Sequence, residues 1–465
     1  MKNESNGLQE DLSRGLEERH IQLIALGGAI GVGLFLGSAQ AIKTAGPAIL
    51  LIYLLAGLMI FFIVRSLGEI AVEYPVSGSF SAYANKFIGP LAGYLTGWTY
   101  WLAWIVACMA EVTAIGIYVK FWFPSIPQWL SALVALCIMT LVNLIAVKAF
   151  GEFEFWFALI KVVTIIAMIV VGLLMIITGL GNGGVPTGFS NLWRNGGFFP
   201  NGMKGLVMAL IMVIFAFNGT ELIGVTAGEA KNPEKTISAA INKVFWRICI
   251  FYIGSLMVIM SIYPWNKIGV IGSPFVLTFN KIGISAAAGI INFVVLTAAL
   301  SSCNSGIFTT GRMLYNLSLQ GSAPKAFAKL SKTLVPMNGI VFSTLIMLIG
   351  VLLNYVIPAK VFTYFASIAT FGAMFTWAII VISQMRFRKG LTPDEVKKLK
   401  FPTIAYPYTN YISLAFLAFA AIVMGITPDT SIAMIVGPMW IVALTICYYA
   451  FGINKIQTRD KFKEV

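Results

Sequence analysis

The stretch Ala25–Phe35, which reads ALGGAIGVGLF, decides the fold because it places four glycines within seven residues of an otherwise apolar segment. Each glycine weakens a helix by about 1 kcal/mol relative to alanine and allows the backbone to approach a ligand closely. A second long apolar segment is interrupted by polar residues at Ile214–Leu222, which reads IFAFNGTEL. Together the two stretches predict membrane helices that are broken near the middle of the bilayer.

The composition of the 465-residue chain also points to a membrane. Hydrophobic residues make up 58% of the chain and charged residues 11%, whereas a soluble domain carries about 25% charged residues. The mean hydropathy is +0.87, and the 34 Phe, 16 Tyr and 11 Trp residues exclude a disordered chain. Because the apolar runs reach helix length and do not alternate, they predict an all-α polytopic membrane protein and not a barrel.

Histidine and cysteine usage argues against catalysis and against a bound metal. His20 is the only histidine, and the five cysteines are scattered through apolar runs without a CxxC motif. A metal or catalytic site built from clustered histidines is therefore excluded. We expect no cofactor, no metal and no enzymatic activity, and we interpret the cysteines as small buried hydrophobic residues.

Twelve apolar segments are candidates for helices that cross the hydrocarbon core, which requires about 20 residues each. Residues 1–20 are polar and mixed in charge, so they predict a cytoplasmic tail and not a cleaved signal peptide. The twelve predicted spans are residues 21–42, 47–68, 97–120, 129–148, 155–180, 203–228, 241–263, 287–316, 338–357, 361–385, 409–426 and 431–453.

The basic residues predict the orientation of these spans. With both termini assigned to the cytoplasm, 24 of the 32 basic residues lie on the cytoplasmic side, 7 lie on the opposite side and Lys161 lies within a span. This asymmetry follows the positive-inside rule and predicts a multi-pass membrane protein with both termini in the cytoplasm. The net charge of +14 is thus an orientation signal that faces anionic lipid, and nucleic-acid binding is not expected.

The two broken helices predict a binding site between them. They are the first and sixth spans, so the sixth would open a second unit of five spans. Because five is an odd number, that unit would have inverted topology. Matching interruptions in two inverted halves mark a substrate site near the midplane. The alternative interpretation of the glycines is close helix packing through the pairs Gly27–Gly31 and Gly33–Gly37.

The chemistry of unwound backbone matches an amino acid. Freed N–H groups at a helix start attract a carboxylate, and freed carbonyl groups accept hydrogen bonds from an ammonium. Phe215 or Phe217 could also cover the substrate as a gate, although packing is the commoner role of such residues. We assign the carboxylate side to Ile30, Gly31, Val32 and Gly33, and the ammonium side to the backbones of Phe215, Ala216 and Asn218.

Glu111, Lys161 and Glu221 are ionisable residues well inside predicted spans, where each costs roughly 3 kcal/mol on insertion scales and is a functional candidate by default. Glu111 is expected to line the pocket, bind a substrate side chain, carry a proton or bond a neighbouring helix. Glu221 is expected to accept backbone N–H groups of the broken segment or to transfer a proton. Lys161 either has a functional role inside the membrane or extends its ammonium to the cytoplasmic surface.

A polar patch in the eighth span contains two further candidates, Ser301 and Asn304, beside Ser302 and Ser305. These side chains are expected to contact the substrate or the Lys161 ammonium. Hydrogen bonding between helices is an equal alternative.

Five motifs spread along the chain carry a family resemblance. They are Gly27–Phe35 (GGAIGVGLF), Ser66–Ser81 (SLGEIAVEYPVSGSFS), Gly151–Lys161 (GEFEFWFALIK), Phe215–Glu234 (FAFNGTELIGVTAGEAKNPE) and Leu300–Leu314 (LSSCNSGIFTTGRML). Together they resemble the bacterial amino-acid permeases of the amino acid–polyamine–organocation (APC) superfamily, and the resemblance covers nearly the whole chain. The loop at residues 181–197 is similar to proline and histidine permeases, whereas FNGTELIG at residues 217–224 is similar to lysine permeases.

This resemblance implies a LeuT/APC-type fold, a 5+5 inverted repeat with two appended helices and discontinuous helices 1 and 6. It also implies proton-coupled uptake through the bacterial inner membrane. By the same resemblance, Lys161 bridges the unwound first helix and the eighth and serves in proton coupling or gate locking. The corresponding units are the tail 1–20, the first repeat 21–180, the second repeat 203–385, the appended helices 409–453 and the tail 454–465.

We therefore predict a proton-coupled secondary transporter that imports an L-amino acid of neutral or aromatic type, with proline, histidine and aromatic amino acids favoured. The expected partners are the amino acid, protons and membrane lipid. A lysine-type cationic permease or an amino-acid exchanger is the alternative within the class. A non-transporting amino-acid sensor is the alternative from another class. Primary pumping is not expected, because the chain has no GxxxxGK[ST] motif.

Overall fold

The computed structural model describes residues 30–76, 79–145, 147–180, 182–225, 233–268, 273–276, 287–358 and 360–454. Regular structure in these ranges is helical. Two π-helical segments, Gly33–Gly37 and Ile248–Gly254, lead directly into α1 and α12. The α-helices are α1 (Ser38–Ala45), α2 (Ile49–Glu73), α3 (Ser79–Phe87), α4 (Pro90–Val119), α5 (Gln128–Ile145), α6 (Val147–Thr178), α7 (Asn191–Arg194), α8 (Gly202–Met208), α9 (Leu210–Phe215), α10 (Leu222–Val225), α11 (Pro233–Arg247), α12 (Ser255–Ile262), α13 (Ala287–Leu319), α14 (Met337–Val356), α15 (Val361–Lys389), α16 (Pro393–Lys397), α17 (Tyr408–Ile426) and α18 (Ala433–Ala450).

Helix α4 lies at the centre of the bundle and packs against α13, α15, α5 and α3. Its sequence permits this position because small residues let neighbouring helices approach closely. A Cβ atom built on Gly97 would come within 2.5 Å of Leu317 in α13. The same helix carries Glu111, so its burial places that carboxyl group in the interior of the protein.

Ten helical stretches of the described residues are long and apolar enough to cross a membrane. The first of them, Gly33–Glu73, covers part of the first predicted span and all of the second; within it, α1 ends at Ala45 and Gly46, whose φ is +63°, separates α1 from α2. The helical segment Gly202–Phe215 is shorter and lies in the sixth predicted span. The all-helical, multi-pass architecture is thus confirmed, whereas the count of twelve and the inverted repeat remain predictions.

Several predicted spans end too early or begin too late. Spans predicted at 97–120, 155–180, 241–263 and 361–385 match the longer helices α4, α6, α11–α12 and α15 to within two residues at one end and miss four to eight residues at the other. The difference arises because hydropathy marks only the apolar middle of a helix. Helix α4 begins with Pro90, a residue that is favoured at the first helical position. Helix α15 ends with three basic residues in its last turn, which interact favourably with the helix dipole.

The first predicted span falls only partly within the structure. Residues 21–29, including Gly27 and Gly28, lie outside the described residues, as do the tails 1–20 and 455–465. The prediction of an interrupted first helix can therefore be compared only from Ile30 onward.

Candidate functional site

The first described helix begins at the glycine stretch. Ile30 is not helical, Gly31 forms a bend, and the π-helical segment follows Val32. The N–H groups of Leu34 and Phe35 donate to the Gly31 carbonyl at 3.2 and 3.4 Å. Because the first N–H groups of a helix lack intrahelical acceptors, those of residues 31–33 can serve an anion.

The sixth predicted span is broken as expected. Helix α9 ends at Phe215, residues 216–221 form turns, and α10 begins at Leu222. Gly219 adopts a φ of +96°, a conformation that favours glycine. The break thus lies at the FNGTE sequence, where turns interrupt the regular backbone hydrogen bonds of the helix.

Glu221 holds this broken segment in place. Its carboxylate accepts hydrogen bonds from the Gly219 N–H, the Tyr100 hydroxyl and the Trp377 indole N–H, each at 3.2 Å. The donors come from the break itself, from α4 and from α15. The Gly219 contact agrees with the interpretation that Glu221 accepts backbone N–H groups of the broken segment.

A small cavity lies between the start of the first described helix and the break. Its volume is about 20 Å³, which is enough for a single water molecule. It is lined by Gly31, Gly33, Trp104, Ala107, Glu111, Phe215, Ala216, Asn218 and Ser302. Four separate parts of the chain, namely the first helix start, α4, the break and α13, therefore meet at one point.

Two acceptor oxygens of this lining lack donors. Neither Glu111 Oε2 nor Asn218 Oδ1 has a hydrogen-bond partner among the described residues, although both atoms are buried. An unsatisfied buried acceptor costs free energy, so such atoms favour a ligand that brings N–H donors. The Glu111 carboxyl also lies near the Ser302 hydroxyl and the Val32 N–H.

Glycine is needed at two positions of the lining for different reasons. A Cβ atom on Gly33 would lie 2.5 Å from the Cα atom of Ala216, so Gly33 allows two backbones to touch. A Cβ atom on Gly31 would instead lie 2.8 Å from Glu111 Oε1 and 3.1 Å from Ser302 Oγ. Close packing therefore explains Gly33, whereas Gly31 faces polar side chains of the cavity.

Lys161 lies on α6 and is fully buried beside the first helix start. Its Nζ atom donates to the Ile30 carbonyl at 3.2 Å and to Ser301 Oγ at 2.9 Å. Ser301 Oγ in turn donates to Glu154 Oε1 at 2.6 Å. The ammonium thus bridges the non-helical start of the first helix and α13, and it does not extend to the surface.

Three other predicted site residues lie outside the cavity lining. Phe217 packs between Tyr53 and Tyr252, with ring centroids 5.8 and 5.0 Å apart. Asn304 accepts a hydrogen bond from Asn143 Nδ2 at 2.8 Å. Val32 is fully buried and precedes the π-helical segment.

The sequence prediction missed Glu154 as well as the cavity residues Trp104 and Ala107. A signal exists for each of them in the sequence. Glu154 precedes Lys161 by seven residues, so the two lie on one face of α6 about two turns apart. Trp104, Ala107 and Glu111 are spaced by three and four residues, which places them on one face of α4.

The sequence comparison identifies the family to which this architecture belongs. The sequence pattern that defines the amino acid permeases matches residues 20–461. The chain belongs to the amino acid permease family. This permease is therefore a multi-pass transport protein and not an enzyme.

Individual bacterial relatives cover nearly all of the permease. It is 63% identical over 447 residues to the uncharacterized amino acid permease YtnA of Bacillus subtilis, with 96% of both chains covered. It is 51% identical over 446 residues to the probable threonine/serine transporter YbxG of the same organism, again with 96% of each covered. It is 47% identical over 439 residues to the aromatic amino acid transport protein AroP of Escherichia coli, with 94% of this chain and 96% of the relative covered. These likenesses agree with a bacterial amino-acid permease of the inner membrane.

Proposed function

We propose that this permease imports a neutral or aromatic L-amino acid together with protons, by alternating access around the cavity at Gly31. One observation carries the proposal: the start of the first described helix and the break at residues 216–221 line the same buried cavity. Helix starts and broken helices supply the backbone groups that recognise both charged ends of an amino acid.

The two ends of the substrate would bind to different parts of the cavity. Its carboxylate would accept from the N–H groups of Gly31, Val32 and Gly33 at the positive end of the helix. Its ammonium would donate to Glu111 Oε2 and Asn218 Oδ1, the two buried acceptors that lack donors in the described part of the chain. This pairing satisfies both acceptors with one cation.

Alternating access is supported by the size of the cavity. A volume of about 20 Å³ is far below that of a ligand pocket, which is roughly 300 Å³ or more. The helices around Gly31 and Ala216 would have to separate for an amino acid to enter. We propose that they do so as two inverted five-helix repeats, followed by two appended helices, with both chain ends in the cytoplasm.

The substrate class is inferred from the cavity and from the relatives. Trp104 and Phe215 give the lining two aromatic side chains. The names of the relatives refer to threonine, serine and aromatic amino acids. Proline, histidine and aromatic amino acids remain our favoured substrates. Glu111 could alternatively pair with a cationic side chain, which would make the protein a lysine-type permease or an exchanger.

Proton coupling is assigned to Lys161, with Glu111 and Glu221 as further candidates. The Lys161 ammonium contacts the first helix start through Ile30 and α13 through Ser301. A change in its protonation would therefore alter a contact between the elements that must move apart. Glu111 lies at the cavity itself, so substrate binding and proton binding would influence each other there.

Uptake in liposomes that contain the purified protein tests the proposal. A competition panel of the twenty amino acids, applied with an imposed pH gradient, identifies the substrate and the energy source together. Binding without uptake would instead support a sensor. Uptake that is unchanged by the gradient and by a protonophore would reject proton coupling and favour exchange.

A further inference from the structure

Glu154 is a buried carboxyl group that the transport scheme above leaves unused. It lies in α6 within the motif GEFEF, and its side chain is fully buried. A carboxyl group in the membrane interior is costly and is a functional candidate by default. Its Oε2 atom makes no hydrogen bond of good geometry in the described residues, although the polar side chains of Asn304 and Ser305 lie beside the carboxyl group.

A directed chain of hydrogen bonds connects Lys161 to this carboxyl group. Lys161 Nζ donates to Ser301 Oγ at 2.9 Å, and Ser301 Oγ donates to Glu154 Oε1 at 2.6 Å. The second distance is typical of a hydroxyl group that donates to a carboxylate. Both hydrogen bonds run in the direction from Lys161 to Glu154. This series of hydrogen bonds is therefore oriented to carry a proton from the ammonium to the carboxylate.

We propose that Glu154 is a second proton-binding site, which receives the proton that Lys161 releases during transport. The inference rests on the proton-coupled transport proposed above. In the transfer, the N–H bond of Lys161 breaks as Ser301 Oγ gains a proton. The original O–H bond of Ser301 breaks as Glu154 Oε1 gains one. The products are a neutral amine, an unchanged hydroxyl group and a neutral carboxylic acid.

This transfer would link the proton to movement of the first helix. Before it, the charged Nζ atom holds the Ile30 carbonyl at 3.2 Å. Hydrogen bonds from a charged donor are roughly twice as strong as those between neutral groups. Neutralising Lys161 therefore weakens its hold on Ile30, and the same step removes the charge from Glu154. Glu111 and Glu154 are the charged groups that interact with Lys161 in the described residues.

Liposomes that carry the pH dye pyranine inside test the proposal without a known substrate. The added probe is a ¹⁴C-labelled mixture of the L-amino acids under an imposed gradient of one pH unit, acid outside. One coupled proton allows roughly tenfold accumulation under that gradient. The unmodified protein is measured first. If its amino-acid uptake does not depend on the pH gradient, the proposed proton-coupled transport is rejected, and not only the role of Glu154.

Glu154→Gln is the main variant, because it keeps the shape and the acceptor oxygen but cannot take up the proton. We expect it to lose gradient-driven accumulation and proton entry, yet to retain counterflow of labelled for unlabelled amino acids without a gradient. Glu154→Asp should restore part of the accumulation. Glu152→Gln, two residues away on a half-buried side chain, is the matched control and should behave like the unmodified protein.

Ser301 provides a second variant pair if Glu154→Gln does not fold. Ser301→Ala interrupts the chain and should abolish accumulation, whereas Ser301→Thr keeps the hydroxyl group and should preserve it. Full accumulation in a folded Glu154→Gln or Ser301→Ala protein would overturn the proposal. Loss of counterflow together with accumulation in a folded Glu154→Gln protein would also overturn it, because Glu154 would then have a structural role.

Discussion

Gly33 and Ala216 bring the backbones of two helix segments into contact, since a Cβ atom on Gly33 would lie 2.5 Å from the Cα atom of Ala216. The Ala216 carbonyl accepts a hydrogen bond from the Tyr252 hydroxyl at 2.9 Å, which holds that backbone in place. A side chain added at Gly33 would therefore meet backbone that is held in place. The contact is a packing constraint between the first helix start and the break.

Gly33→Ala should destabilise the protein for this reason. Inserting a methyl group into a tightly packed interior costs about 1–3 kcal/mol, which should lower the unfolding temperature of the purified protein in detergent. Gly37→Ala is the matched control in the same π-helical segment, because the nearest atom to its added Cβ would be 3.8 Å away. Equal unfolding temperatures for the two variants would contradict the packing assignment.

Gly31→Ala should fold normally and bind substrate more weakly. Its added Cβ atom meets the ends of two side chains, Glu111 Oε1 and Ser302 Oγ, which can rotate away. The methyl group then occupies the cavity and displaces the Glu111 carboxyl group. We expect a rise in Kd of roughly tenfold, equal to about 1.4 kcal/mol, measured with the best substrate of the competition panel. Normal affinity in this variant or in Gly31→Val would reject the placement of the carboxylate site.

Lys161→Ala should impair transport more than binding. The change removes the donor to Ile30 and Ser301, but neither Lys161 nor Ser301 lines the cavity. We expect gradient-driven accumulation to disappear while Kd changes by less than about threefold, which is well below 1 kcal/mol. Lys204→Ala, at an exposed lysine, serves as the control. Accumulation equal to that of the unmodified protein would disprove the coupling role of Lys161.

The positions of the helices were largely predictable from the sequence. Long apolar runs and mid-span interruptions are strong local signals, so the break near Asn218 follows from the sequence. For Lys161 the sequence left two interpretations open, and the structure shows the buried one. The ends of the helices were less predictable. Helix α4 begins at Pro90 and α15 ends at Lys389, both beyond the apolar core of the span, and hydropathy does not register these helix ends.

The partners of each side chain could not be predicted in the same way. Helical spacing places Glu154 and Lys161 on one face, but it does not say that Ser301 of another helix lies between them. The rotation of each helix against its neighbours decides such contacts. It also decides that Phe217 packs with Tyr53 and Tyr252 and that Phe215 faces the cavity.

The buried ion pair between Glu69 and Arg388 allows a last prediction about stability. Arg388 Nε lies 2.8 Å from Glu69 Oε1, and the side chains are 9% and 0% exposed. Gln384 Nε2 and the Thr403 N–H also donate to the Glu69 carboxylate. Removing one partner of a buried pair leaves an uncompensated charge and costs about 3–5 kcal/mol. Glu69→Ala should therefore lower the unfolding temperature strongly.

An exposed pair supplies the contrast for this prediction. Lys397 Nζ lies 3.5 Å from Asp394 Oδ1, with side chains that are 79% and 85% exposed. Such surface pairs contribute about 0–1 kcal/mol, so Asp394→Ala should leave the unfolding temperature nearly unchanged. The double variant Glu69→Ala/Arg388→Ala should lose less stability than the two single variants added together, because it removes the unpaired charge as well as the pair. If the stability loss of the double variant equalled the sum of the two single losses, the ion pair would not be the source of the stabilisation. Each residue would then stabilise the protein through other contacts, because an uncompensated charge is present only in the single variants.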